Sequence, residues 1–231
     1  SATAGIRRMP RRAPVTAAAD VPQDPDGAAD VVVGPDGAAR CWWAAATPQL
    51  ARYHDDEWAR GPRDEHGLFE RLCLEAFQAG LSWRLVLERR AALRAALDHF
   101  RPDLLADRDA SDVERLLEAP GMIRNRAKVA AVLTNARVLR RLHAAGGGLG
   151  PLTEEVLAVA PAPERRPPAR RDDVPASTPA SEVLAPRLRA EGWRFVGPTT
   201  AYAYLQAAGW VDDHLVGCHA RRPDGRETVR R

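Results

Sequence analysis

From Leu68 the apolar residues recur as Leu68, Phe69, Leu72, Cys73, Ala76 and Phe77. Spacings of three and four residues place these side chains on one stripe of a helix. Gly80 closes that helix. A second helix is predicted from Ser82 to about Phe100. The stretch "SDVE" at 111–114 has the form of a capping box ahead of Leu116 and Leu117. This short helix leads into "PGMIRNRAKV" (120–129), and a helix resumes near Arg126 and runs to His143. "GGGLGP" (146–151) is a break, with a short helix predicted from Thr153. "PAPERRPPARRDDVP" (161–175) reads as a charged, proline-rich loop. Two further helices are predicted near 180–191 and 199–208. Neither a repeat nor a series of strands emerges, so the fold class expected is all-α.

Residues 1–39 are rich in Ala, Pro, Asp and Gly and lack an apolar period. They read as a disordered or loosely packed extension. Order is expected from about Arg40, with one domain over 40–220 and a flexible tail over 221–231. The cluster Arg7, Arg8, Arg11 and Arg12 is open to two readings, a solvated tail or a contact with nucleic acid phosphate. A chain of 231 residues buries a sizeable core without disulfides. Its three widely spaced cysteines are no secreted disulfide framework. No apolar stretch spans a membrane and no apolar signal region stands near residue 1, so the expectation is the cytoplasm, with no membrane partner. A formal charge of +3 is compatible with nucleic acid without pointing to it.

One pair of side chains raises the question of a metal. "GWVDDHLVGC" (209–218) holds His214 and Cys218 four residues apart. Such a pair can serve one zinc ion, and it can equally be core packing. Cys73 lies inside the apolar stripe and reads as a core thiol. Cys41 and His54, thirteen residues apart, would complete a closed Cys2His2 set with His214 and Cys218. A set with no open position is structural, and it would staple the first ordered segment to the last. His66, His99, His143 and His219 compete for these places on spacing alone.

Five blocks carry a resemblance. "RCWWAAATPQLARYHDDEW" (40–58), "LFERLCLEAFQAGLSW" (68–83), "PGMIRNRAKV", "VPASTPAS" (174–181) and "GWRFVGPTTAYAYLQAAGWVDDHLVGC" (192–218) stand in the order and spacing of the bacterial DNA-3-methyladenine glycosylase I family. The chain resembles that family over about residues 40–218. The resemblance implies an all-α helix-hairpin-helix glycosylase fold and one structural zinc ion. The family's zinc ligands fall on Cys41, His54, His214 and Cys218. It further implies a monofunctional enzyme that flips N3-methyladenine out of double-stranded DNA and hydrolyses its glycosidic bond, acting as a monomer.

The chemistry and the residues meet at several places. N3-methyladenine is cationic in DNA and its glycosidic bond is weak. Selective recognition of a charged aromatic is therefore the main demand, met by aromatic faces and a carboxylate. Glu75 lies three residues after Leu72, at the border of the apolar stripe. Taken alone it reads as an edge glutamate in water or paired with an arginine. The resemblance makes it the base-recognition residue, with Tyr53 and Trp83 as aromatic partners and Trp43 and Trp58 as pocket walls. Leu81 is then a wedge that fills the gap left by the flipped base. Trp193 and Trp210 read as core.

The hairpin "PGMIRNRAKV" supplies the expected grip on the DNA backbone. Gly121 permits the turn, and Arg124, Arg126 and Lys128 add positive charge. Basic residues at a helix start are otherwise a common solvated face. Between Lys128 and Thr153 stands no Asp or Glu, so the aspartate-dependent members of the superfamily are excluded. Three departures from the family pattern bear on the substrate and the metal: Trp42, Asp212 beside the ligand His214, and Tyr204 followed by Leu205. Two rivals remain open on the residues. One is an enzyme for bulkier N3-alkyladenines. The other is a zinc-stapled DNA-binding protein without catalysis.

Overall fold

The computed structural model describes residues 29–61, 63–161 and 166–222. Among these, nine α-helices and one two-stranded sheet form the fold. The all-α expectation holds apart from that small sheet. Strands β1 (Val31–Val33) and β2 (Ala39–Cys41) pair antiparallel, with Val31 opposite Cys41. Regular structure thus starts ahead of Arg40. Its anchor is the buried Arg40 guanidinium, which bonds the Asp36 carboxylate within the hairpin and Asp55 beyond it. The Arg7–Arg12 cluster lies outside the described residues.

A 3-10 turn at Trp42–Ala46 leads into α1 (Pro48–Asp56), a helix the stripe analysis does not predict. Thr47 caps it by accepting from the Leu50 amide, and Pro48 sits in its first turn, where no amide is needed. Next, α2 (Glu65–Gln78) and α3 (Trp83–Ala96) follow the predicted stripe, capped by Asp64 and Ser82. The third helix ends before the expected Phe100. Asp98, His99 and Phe100 take positive φ values of 48°, 55° and 57°. That left-handed turn seals Leu97 and Phe100 in the core.

After α4 (Pro102–Leu105), α5 spans Ala110–Leu117. Its capping box is Asp109 with Asp112, so the cap falls upstream of the "SDVE" reading. Helix α6 (Arg126–Ala144) agrees with the sequence. Helix α7 (Leu149–Val159) begins inside "GGGLGP", ahead of Thr153. The cause is remote: the Glu65 carboxylate accepts from the Leu149 and Gly150 amides, each at 2.7 Å. It thereby satisfies donors that no local residue caps. Gly148 leaves room for it, since a Cβ there would come within 2.8 Å of that carboxyl. Finally α8 (Pro179–Ala190) and α9 (Pro198–Ala207) close the domain.

Helix α2 is the centre of the packing and touches α3, α6, α7 and α9. Phe69, Phe77, Trp193 and Tyr204 are the largest side chains it helps to bury. Trp210 and Cys73 are core residues as predicted. Tyr204, named above as a departure from the family pattern, lies in this core with its hydroxyl 3.2 Å from that of Thr153. Among the described residues, no helix is long and apolar enough to cross a membrane.

Asn135 fixes the corner between α8 and α9. Its buried amide accepts from the Arg194 N–H at 2.8 Å and donates to the Arg194 carbonyl at 3.2 Å. The next residue, Phe195, holds a φ of 56°. Asn135→Ala removes both bonds and is expected to lower unfolding stability by about 1–2 kcal/mol in urea titrations. An unchanged midpoint would show that water replaces the amide without loss.

Candidate active site and metal cluster

Four aromatic residues named from the sequence form one cluster, with Glu75 as an electrostatic neighbour of its Tyr53. Tyr53, buried on α1, has its ring centre 5.1 Å from Trp83 at the start of α3 and 6.3 Å from Trp43. Trp43 in turn meets Trp58 edge-on at 5.1 Å. Leu50 and Leu87 back these rings. Glu75, on the last turns of α2, is buried, and among the described residues no donor reaches its carboxyl. Burial pushes its pKa up to about 8. Tyr53 is pushed well up as well, by its own burial first and then by the Glu75 charge. The two groups are therefore electrostatic neighbours. The Trp83 indole N–H is likewise buried without a partner. A recess with aromatic faces, an unpaired carboxyl and an unpaired N–H is chemically suited to a flat, cationic heterocycle.

Between Glu75 and Trp83 the chain makes a tight turn. Gly80 takes a φ of 77°, and the Leu81 amide donates to the Gln78 carbonyl at 2.6 Å. Leu81 itself is half-buried. Ser82 then caps α3 through the Leu85 amide.

The hairpin lies between α5 and α6. Gly121 has a φ of 75°, and a Cβ there would come to 2.7 Å from the Ala92 Cβ. Both facts require glycine. Asn125 caps α6 by accepting from the Lys128 amide at 3.1 Å. Arg124 is exposed. Arg126 is exposed too but is ion-paired with Glu114. Lys128 corrects the sequence reading. It is buried at 5 % exposure, and its ammonium donates to the Phe77 carbonyl at 2.8 Å and the Ala79 carbonyl at 2.5 Å. The unsatisfied carbonyls ending α2 draw it inward, away from any phosphate. Spacing cannot reveal this, because the carbonyls belong to a distant segment. Arg89 was missed by the sequence: it is exposed, and its guanidinium lies 3.8 Å from where a Gly121 Cβ would stand.

Three of the four predicted ligands, Cys41, His54 and Cys218, converge beside the aromatic cluster, with His214 packed against them. Ligand atoms of Cys41, His54 and Cys218 all lie within 4.8 Å of one another, and this set can hold a metal ion. The His54 Nε2 is 3.4 Å from the Cys218 sulfur. The hydrogen bond with Cys41 lowers the Cys218 pKa, and the same contact raises that of Cys41. His214 packs edge-on against His54 with ring centres 4.8 Å apart. Its Nε2 is buried without a partner. Each imidazole is aimed by a carboxylate on its other nitrogen: Asp55 on His54 at 2.7 Å and Asp212 on His214 at 2.6 Å. Those two aspartates orient the rings as outer carboxylates do around bound metal. The rings also form the back of the recess, since Trp58 meets His214 at 4.6 Å and Trp43 meets His54 at 5.2 Å.

With this geometry in view, comparison with known proteins is informative. Residues 43–222 match the methyladenine glycosylase family. The chain is 39% identical over 180 residues to DNA-3-methyladenine glycosylase 1 of Escherichia coli, covering 78% of this chain and 95% of that protein. It is 36% identical over 179 residues to DNA-3-methyladenine glycosylase of Haemophilus influenzae, covering 78% and 96%. A crystal structure of a 3-methyladenine DNA glycosylase I superposes with a TM-score of 0.74 at 39% identity, over 79% of this chain and all of that one. The Staphylococcus aureus enzyme, solved to explain 3-methyladenine recognition, superposes at 0.70 with 29% identity, over 77% and 93%.

The raised Glu75 pKa has a consequence for stability. In the folded chain Glu75 keeps its proton to about pH 8, whereas an unperturbed glutamate loses it near 4.5. Between those values the native state holds a proton that the unfolded state has released. Stability therefore falls as pH rises, by up to about 1.4 kcal/mol per unit from this group. Glu75→Gln has no such proton. Urea unfolding from about pH 5 to about pH 8 should show the variant gaining steadily on the parent, and a constant difference would refute the burial effect.

Proposed function

We infer the activity of this chain from its kinship: it belongs to the methyladenine glycosylase family, and it removes 3-methyladenine from alkylated DNA, leaving an abasic site. The observation that carries this reading is the buried, unpaired Glu75 carboxyl, an electrostatic neighbour of Tyr53, whose ring meets Trp83. A non-catalytic DNA-binding protein gains nothing from such a group, and burying it is costly.

The geometry supports the following sequence of events. The target nucleotide leaves the stack of double-stranded DNA and enters the recess, and Leu81 fills the gap. The cationic base lies against the Tyr53 and Trp83 rings. Its charge favours the ionised form of Glu75, which gives up its proton and accepts from the exocyclic amine. The bond from C1′ to the base then breaks, and its electron pair goes to the base, which leaves neutral. Water adds to the oxocarbenium-like sugar and loses a proton. No lysine stands between Glu75 and Trp83 to form a Schiff base, so the strand stays intact. Arg124 and the hairpin amides around Gly121 hold the backbone, with Arg126 and Arg89 beside them. The protein acts as a monomer, and the compartment that fits its chemistry is the cytoplasm.

The donor set fits one structural zinc ion held by Cys41, His54, His214 and Cys218. The carboxylate-oriented rings and the orphan His214 Nε2 support that assignment. When bound, zinc would cross-link β2 and α1 to the segment after α9. It would leave no open position for chemistry.

Two experiments test this reading. DNA treated with a methylating agent is incubated with the protein, and released bases are separated by chromatography. Selective release of 3-methyladenine is expected, reduced about 100-fold or more in Glu75→Gln. Release of only bulkier N3 adducts, or of no base, would overturn the substrate assignment. Metal analysis should find about one zinc per chain. A strong chelator should lower the melting temperature, and Cys218→Ser should retain less metal. Protein that is metal-free yet equally stable would refute the zinc.

A further inference from the structure

The buried Lys128 raises a question that the reaction does not answer. An ammonium group inside a protein is costly unless it is hydrogen-bonded or paired. Among the described residues no carboxylate pairs with Lys128. Burial accordingly lowers its pKa. Two carbonyls hold it, those of Phe77 and Ala79. Both belong to the C-terminal end of α2, where the partial negative charge of the helix accumulates. A helix end needs no lysine from another helix for this purpose, since a glycine in left-handed conformation is the usual solution. Gly80 already provides one, with a φ of 77°.

What Lys128 adds is a link between two elements. On one side it sits in the first turn of α6, directly after the hairpin, and its own amide is held by the cap Asn125. On the other side it grips the last carbonyl before Gly80, Leu81 and Ser82. That turn presents Leu81 to the DNA and starts α3 with Trp83. The span from hairpin to pocket therefore runs through one side chain.

We propose that Lys128 is a positioning residue that sets the Gly80–Ser82 turn, with Leu81 and Trp83, in register with the hairpin that holds the DNA backbone. This rests on the glycosylase reading above. It assigns Lys128 a part in base extrusion and pocket assembly, and none in phosphate binding.

The test compares the parent with Lys128→Met, Lys128→Gln and Arg124→Ala. Binding to undamaged duplex is measured against salt concentration. Base release is measured in single turnover with enzyme in excess and saturating, and 2-aminopurine beside the lesion reports unstacking. For Lys128→Met the expectation is an unchanged salt slope, a maximal release rate lowered about 10–100-fold and weaker unstacking, with half-saturation nearly unchanged. Arg124→Ala should reduce the salt slope by about one, as a lost phosphate contact does. Lys128→Gln keeps one donor for the two carbonyls and should fall between parent and Lys128→Met. If Lys128→Met does not fold by thermal melting, the same comparison is made with Lys128→Gln. A shallower salt slope in the lysine variants, or a maximal rate equal to the parent's, overturns the proposal. A parent protein that releases no base overturns the function itself, which is a separate result.

Discussion

A carboxyl group shut away from water and left without a donor cannot easily carry charge. The site of this protein is organised around that constraint at Glu75. The end of α2 buries the group, with Tyr53 as its electrostatic neighbour. Burial thus favours the neutral carboxyl, and a positive charge beside it would favour the ionised form. On the reading proposed above, recognition of the cationic base is coupled to ionisation of Glu75, and a neutral purine lacks that compensation.

The rest of the architecture serves to keep that recess in shape. Its back wall is shared with the metal cluster, where Trp43 and Trp58 lean on His54 and His214. Its floor is α2, packed on four sides by other helices. Its mouth is the turn at Gly80–Ser82, tied by Lys128 to the hairpin. These are three separate supports: a cluster of Cys and His side chains, apolar packing and a buried cation.

Much of this was legible in the residues, and the exceptions have a common cause. The apolar stripe predicts α2, and the spacing of α6, α8 and α9 follows the same logic. Tyr53, Trp83, Trp43 and Trp58 meet as neighbouring rings, and Cys41, His54 and Cys218 gather as one cluster. Misses occurred where the deciding partner is far along the chain. Glu65 caps α7 across the domain, which moves the helix start ahead of Thr153. Lys128 turns inward to carbonyls that its own neighbours do not reveal. Arg40 secures the β1–β2 hairpin through Asp55, in a stretch whose composition reads as loose. The left-handed turn at Asp98–Phe100 carries no glycine and so gives no warning. Local pattern reports local energetics, and the first three of these features are settled by polar contacts with distant segments, the fourth by burial of Leu97 and Phe100.

The shared wall between recess and metal cluster also orders events during synthesis. Cys41 and His54 emerge early from the ribosome, while His214 and Cys218 emerge near the end of the described chain. Until the late pair arrives, the cluster is incomplete and the His214 ring that meets Trp58 is absent. A nascent chain that has already made Glu75, Leu81 and the hairpin therefore still lacks a finished pocket. A chain that stops short of Cys218 has the hairpin and Glu75 but not the complete wall of rings.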